Sequence, residues 1–227
     1  MFSFRDRETL WAVALGVFGS IALWSYLSRP AIDVRSSLRN LDKPLAVGEV
    51  ATVGSSSAPV VLVEFGDLEC PFCQEFARDV FPDIQARYVS KGFLALQFRH
   101  FPLSMHPRSR ALAEAAECAQ ARDGSDWLLS PTFESISRES GIDPSTQRAC
   151  DLDKAVRLVN ADIREGTRYG VDSTPTFFVA FRDRAGLLRI VDAFSGLRSV
   201  RDLQAFITRA AGCLQHERDN PCVPRLD

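Results

Sequence analysis

The spacing of apolar positions changes several times along the chain, and each change marks an expected element. From Thr9 to Ser28 there is no charge and no polar face. About twenty residues at the helical rise span about 30 Å, the thickness of a bilayer core. Trp11, Trp24 and Tyr26 stand near the ends, where interfacial aromatics belong. The stretch therefore reads as a single transmembrane anchor. A cleaved signal peptide is the alternative, but its one passable site, Ser20-Ile21-Ala22, would cut inside the apolar run.

A polar tether follows from Pro30 to Asn40, and Leu45 to Val53 reads as a first short strand closed by Gly54-Ser55-Ser56-Ser57. Val60 to Phe65 is a β-branched run bounded by Pro59 and Gly66, the pattern of a buried strand. Gly66 and Asp67 break it. From Pro71 the period becomes helical, with Phe72, Phe76, Val80 and Phe81 on one predicted face. Pro82 should kink that helix, because it lacks the N–H of the ladder. Phe93 to Phe101 predicts another strand. His106 to Tyr169 is helical, broken at Asp123-Gly124, Ser130-Pro131 and Gly141 to Pro144. Strands are expected at Phe177 to Phe181 and Leu187 to Val191, and a last helix at Val200 to Ala211. The expected division is 1–28 anchor, 29–57 tether and first strand, 58–211 folded domain, and 212–227 tail.

Composition adds two constraints. The net charge of −2 and the absence of a long basic run argue against nucleic acid as a partner. Six cysteines, an even number, suit disulfides and an oxidising compartment. Positive charges point weakly the other way: Arg5 and Arg7 precede the apolar span, while Arg29, Arg35, Arg39 and Lys43 follow it. The cysteine usage outweighs that count and places the folded domain outside the cytoplasm.

The candidate chemistry sits where strand gives way to helix, at Cys70-Pro71-Phe72-Cys73. Proline suits a first helical position, so Cys70 falls at a helix N-terminus, where unpaired N–H groups and the dipole favour a thiolate. A second cysteine three residues on can resolve a mixed disulfide. Half of a zinc site is the alternative reading, but the chain offers no second Cys-x-x-Cys and its three histidines lie elsewhere. Cys70 is expected to be exposed with a depressed pKa, and Cys73 shielded. Glu64, inside the apolar strand, should lie beneath the helix with a raised pKa and could pass protons to Cys73; a solvated strand-end glutamate is the plainer reading. Pro175, after Thr174 and before a β-rich run, is a candidate cis proline.

Taken together, Glu64 to Cys73, Phe101-Pro102-Leu103, His106-Pro107, Ala115 to Ala119 and Thr174 to Phe178 resemble the DsbA-like disulfide oxidoreductases of the thioredoxin superfamily. The resemblance implies an α/β thioredoxin fold with a helical insertion at about 102–170. It implies Cys70 as nucleophile, Cys73 as resolving thiol, and Thr174 with a cis Pro175 beside them. A Cys118–Cys150 bridge resembles one that staples the insertion in some relatives. It is worth about 3 to 4 kcal/mol in the chain-entropy model. Cys213 and Cys222 are expected to close a shorter loop, with buried free thiols the alternative. The Asp126 to Phe133 stretch departs from the family's aromatic-rich run there.

The implied function is a membrane-anchored oxidoreductase on the periplasmic or extracytoplasmic side of the inner membrane. Its clients would be exported cysteine-containing proteins, and a quinone-linked membrane partner would reoxidise it. The chain is expected to be a monomer without cofactor or metal. A reductase or isomerase of the same fold, or a non-catalytic module binding a partner or copper through its cysteines, remains open. His100 and His106 read as structural, and Phe72, Phe76 and Phe81 as core. Arg108 and Arg110 read as solvated surface, and Met105 and Pro107 as groove or packing.

Overall fold

The computed structural model describes residues 37–46, 48–124, 128 and 150–216. The expected anchor at 9–28 lies outside the described residues, and among those described no helix is long and apolar enough to cross a membrane. Strand β1 is Ala51–Val53, β2 Val60–Gly66, β3 Leu94–His100, β4 Thr176–Arg182 and β5 Leu188–Ser195. They form one sheet in the order β1-β3-β2-β4-β5, with β2 parallel to β3 and the other neighbours antiparallel. Edge strand β1, with the Leu45–Leu188 bridge, belongs to this sheet, so the folded domain begins before the expected boundary at 58.

Both faces of the sheet are covered, which is why β2, Glu64 apart, is apolar on both sides rather than alternating. Val60 and Leu62 face one cluster with Phe81, Ile84, Phe177, Leu203 and Ile207. Val61, Val63 and Phe65 face another with Tyr169, Phe178 and Leu188. By this period of two, Glu64 falls on the side of Val60 and Leu62.

That side is roofed by helix α1, which runs from Pro71 to Val89 in four pieces. Pro71–Glu75 and Phe81–Ile84 are α-helical; Phe76–Val80 and Gln85–Val89 are π-helical. Pro82 cannot donate to the turn behind it, and a widened turn is how a helix absorbs such a break. The extra residue per π turn also shifts the inward stripe. Phe76, Val80, Phe81 and Ile84 are buried, but in the first turn Cys73 takes the inward place and Phe72 is 55% exposed. The expected core role of Phe72 is thus corrected.

Two helices of the insertion are described, α2 (Ser109–Asp123) and α3 (Leu152–Arg168). A Cys118–Cys150 disulfide and an Arg110 Nη1 to Asn160 Oδ1 hydrogen bond of 2.9 Å tie them together. Asp151 caps α3 by accepting from Lys154 N at 2.9 Å. Helix α4, Val200–His216, runs past the expected end at Ala211, so the tail boundary at 212 falls inside a helix. Cys213 on α4 is disulfide-bonded; its expected partner Cys222 lies outside the described residues.

Candidate active site

The site is assembled where β2 ends and α1 begins. After Gly66 the chain turns through Asp67, whose carboxylate accepts from Glu69 N at 2.8 Å, a local Asx turn. Asp67 O then accepts from Cys70 N at 3.0 Å, and Cys70 enters the helix as its N-cap with extended φ and ψ of −70° and 121°. Gly66 is required by the crowding here: a Cβ on it would meet the Phe98 ring and come within 3.1 Å of Glu64 Oε1. Cys70 is only 4% exposed, not open as expected, because Leu68 and the α2 residues Leu112 and Ala116 share its cluster. Cys73 is fully buried, and both thiols are unbridged.

From the other side, β4 brings in the Thr174–Pro175 peptide bond, which is cis. The Cys70 thiol donates to Thr174 O at 3.2 Å. Pro175 O accepts from Gly196 N at 2.8 Å, and Thr176 Oγ1 donates to Ser173 O at 2.7 Å, so the loop is fixed at both ends. Thr174 Oγ1 is buried without a hydrogen-bond partner. It is free to donate to sulfur once Cys70 is ionised.

These contacts separate the two thiols electrically. A hydrogen bond from Cys73 brings Cys70 down to about 5; burial opposes it, and Thr174 with the Cys73 and Phe72 N–H groups helps. Burial drives Cys73 well above its ordinary value, reinforced by its bond to Cys70 and by the charge on Glu64. Glu64 is 3% exposed, and its Oε1 has no partner. Burial pushes its pKa up to about 8; its hydrogen bond with Cys73 opposes that, and the Cys70 charge adds to it. The solvated strand-end reading of Glu64 does not hold. At neutral pH the arrangement is a Cys70 thiolate, a Cys73 thiol and a protonated Glu64.

Sequence reasoning singled out neither Asp67, read only as a break in the strand pattern, nor Glu69. Besides Glu69 N, Asp67 accepts from Leu103 N and His106 Nδ1, each at 2.8 Å. Glu69 accepts from Arg108 N at 2.6 Å and from Arg108 Nε at 2.9 Å, so Arg108 is not the free surface group expected. Arg110 likewise pairs with Glu114 at 2.6 Å. One local signal for Asp67 existed: an aspartate three residues before a helix N-cap favours a side-chain-closed turn. His100 is buried 3.3 Å from Glu117, a structural placement. Among the described residues no group of three or more His, Cys, Asp or Glu is gathered to hold a metal ion.

A family model described as thioredoxin matches residues 46–190. The chain is 29% identical over 167 residues to the Na(+)/H(+) antiporter NhaA 1 of Mycolicibacterium gilvum, covering 63% of this chain and 26% of the antiporter. It thus spans about a quarter of the length of that relative. It is 32% identical over 91 residues to a probable disulfide bond formation protein D of Bacillus cereus, covering 40% of this chain and 42% of that protein. Among solved structures, α-DsbA1 of Wolbachia pipientis superposes with a TM-score of 0.61 at 20% identity, covering 76% of this chain and 96% of that one. On the extent of the family match and on this superposition, the chain belongs to the thioredoxin family and has the fold of its DsbA-like members.

Proposed function

We propose that the chain is a thiol–disulfide oxidoreductase that introduces disulfides into exported proteins through Cys70 and Cys73. The observation that carries this is the placement of the two thiols: Cys70 caps α1 and donates to Thr174 O beside the cis Pro175, while Cys73 is buried one turn on, which lowers the Cys70 pKa and raises that of Cys73. In the oxidised form, a client thiolate attacks Cys70 Sγ and expels Cys73 as thiolate. Glu64, protonated at neutral pH beneath the helix, can give Cys73 its proton. A second client thiolate then attacks the client sulfur of the mixed disulfide and expels Cys70. The client gains a disulfide; the protein keeps two electrons as a thiolate–thiol pair. The low Cys70 pKa favours that last step, because a stable thiolate leaves readily and stabilises the reduced form. Exposed Phe72 and Met105, 55% and 76% accessible, offer apolar contact to a client.

Reoxidation requires a partner that accepts the two electrons, and a quinone-linked membrane protein fits that need. Bonded Cys118, Cys150 and Cys213 support an oxidising, extracytoplasmic setting, with residues 9–28 as the anchor. A reporter that works only after export should be active when fused after Lys43. Activity from a cytoplasmic reporter alone would overturn the location. Thr174 before Pro175 resembles the pattern of isomerases and reductases of this fold, which keeps such a role as the second reading.

Trapping tests the roles. Cys70→Ser should abolish disulfide transfer, whereas Cys73→Ser should accumulate Cys70-linked mixed disulfides with client proteins. Faster alkylation of Cys73 than of Cys70 near neutral pH would reverse the assignment.

A further inference from the structure

Asp67 touches the redox pair and a distant loop at once. Its carbonyl accepts from Cys70 N at 3.0 Å, and its N–H donates to Cys73 Sγ at 3.5 Å. Its side chain, in a residue 2% exposed, accepts from Leu103 N and His106 Nδ1. A carboxylate only accepts, so His106 Nδ1 carries a hydrogen, and the ring gains or loses charge at Nε2. The His106 side chain is 21% exposed, so that proton can exchange with solvent. The next carboxylate along the turn, Glu69, is met by Arg108 from the same loop at 2.9 Å. Asp67 and Glu69 are thus each met by a basic side chain from residues 103–108.

We propose that Asp67 and His106 act as a positioning pair for the redox centre. The imidazolium cancels the buried carboxylate's charge beside the Cys70 thiolate, and the carboxylate ties the 103–106 loop to the turn that carries both cysteines. The inference rests on Cys70 being the thiolate of a thiol–disulfide oxidoreductase. Without the cation, an uncompensated Asp67 lies three residues from a sulfur that must stay ionised, and like charges disfavour one another. The hydrogen bond to Asp67 raises the His106 pKa, burial opposes this, and the negative charges of Asp67, Cys70 and Glu69 add to it, with the Arg108 cation held on Glu69. Stabilisation is mutual, since a cation that favours the thiolate is itself favoured by it.

The test is the titration of Cys70 in the reduced full-length protein, followed by thiolate absorbance and by alkylation rate against pH. His106→Gln should raise the Cys70 pKa by about one unit, the scale of one nearby charge close to a protein surface. On the acid limb, alkylation should slow about tenfold with it. His106→Lys keeps a cation and should stay near wild type. Asp67→Asn with His106→Gln, which removes both charges, should bring the Cys70 pKa back towards wild type. In the unaltered protein, oxidising the pair to a disulfide removes the thiolate, so the His106 pKa read by NMR should fall. An unchanged Cys70 titration in His106→Gln would overturn the inference alone. A shift that the double variant does not recover would mean the loop is displaced rather than charged, and would also overturn it. A wild-type Cys70 with an ordinary thiol pKa would remove the oxidoreductase reading and the inference with it.

Discussion

Glu64 at the end of β2 and Asp67 in the turn beyond it are both carboxyl residues buried against the redox pair, 3% and 2% exposed. Their surroundings differ in one respect. Asp67 has three N–H donors on its two oxygens, while Glu64 Oε1 has none. Desolvation of a carboxylate is costly unless donors replace the lost water. Asp67 has those donors and therefore serves as a fixed scaffold. Glu64 keeps one oxygen without a donor, and burial pushes its pKa up to about 8 against its hydrogen bond with Cys73. Both carboxyl groups are buried, so the donors around each are what set them apart.

Replacing each acid by its amide should give effects of opposite sign. Glu64 has a folded pKa raised from 4.5 to about 8. The folded state therefore binds its proton more tightly than the unfolded one. The stability this group contributes is complete below its unfolded value and is lost as pH rises towards about 8. At about pH 7 the loss amounts to about 3 kcal/mol, at 1.36 kcal/mol per pKa unit. Glu64→Gln should accordingly be more stable than wild type by about 3 kcal/mol at about pH 7. By about pH 4 the advantage should be gone. Its thiol–disulfide exchange should be slower, because Cys73 loses its proton source. Urea unfolding at the two pH values, beside exchange kinetics, checks this; equal stability of the two proteins at both pH values would contradict the raised pKa.

Asp67→Asn should instead destabilise by about 2 kcal/mol, since an amide offers one acceptor oxygen where charge-assisted bonds met two. Unfolding measured alongside Glu64→Gln gives the comparison directly, and a stabilised Asp67→Asn would erase it. Gly66→Ala lies between the two acids and should cost the least, about 1 kcal/mol, through the displaced Phe98 ring. Thermal unfolding measures that cost, and no loss would mean the junction is looser than its contacts imply.

The strands and α1 were legible because their signals are local. The period changes from two to helical within a few residues of Gly66, and Pro71 marks the helix start. Tertiary partners were not legible in the same way. Asp67 finds Leu103 and His106 across 36 and 39 residues, and Arg99 pairs with Asp162 across 63. No spacing rule reaches that far. Phe72 was misplaced because a uniform helical period does not foresee the π turn at Phe76–Val80. The burial of Cys70 has a similar reason, since α2, far along the chain, contributes Leu112 and Ala116 to its apolar cluster. By contrast, the Cys118–Cys150 pairing came from the resemblance alone, and it is the bridge found between α2 and α3.

The central claim is that this thiol pair is built to accept electrons, and its reduction potential tests that most directly. Equilibration of the protein with glutathione buffers, read by thiolate absorbance or alkylation, gives the value. The stabilised Cys70 thiolate predicts a potential above about −220 mV. Phe72, which brings neither charge nor donor, should keep it short of about −120 mV. A value near −270 mV, that of thioredoxin, would contradict the oxidase reading and make the protein a reductase.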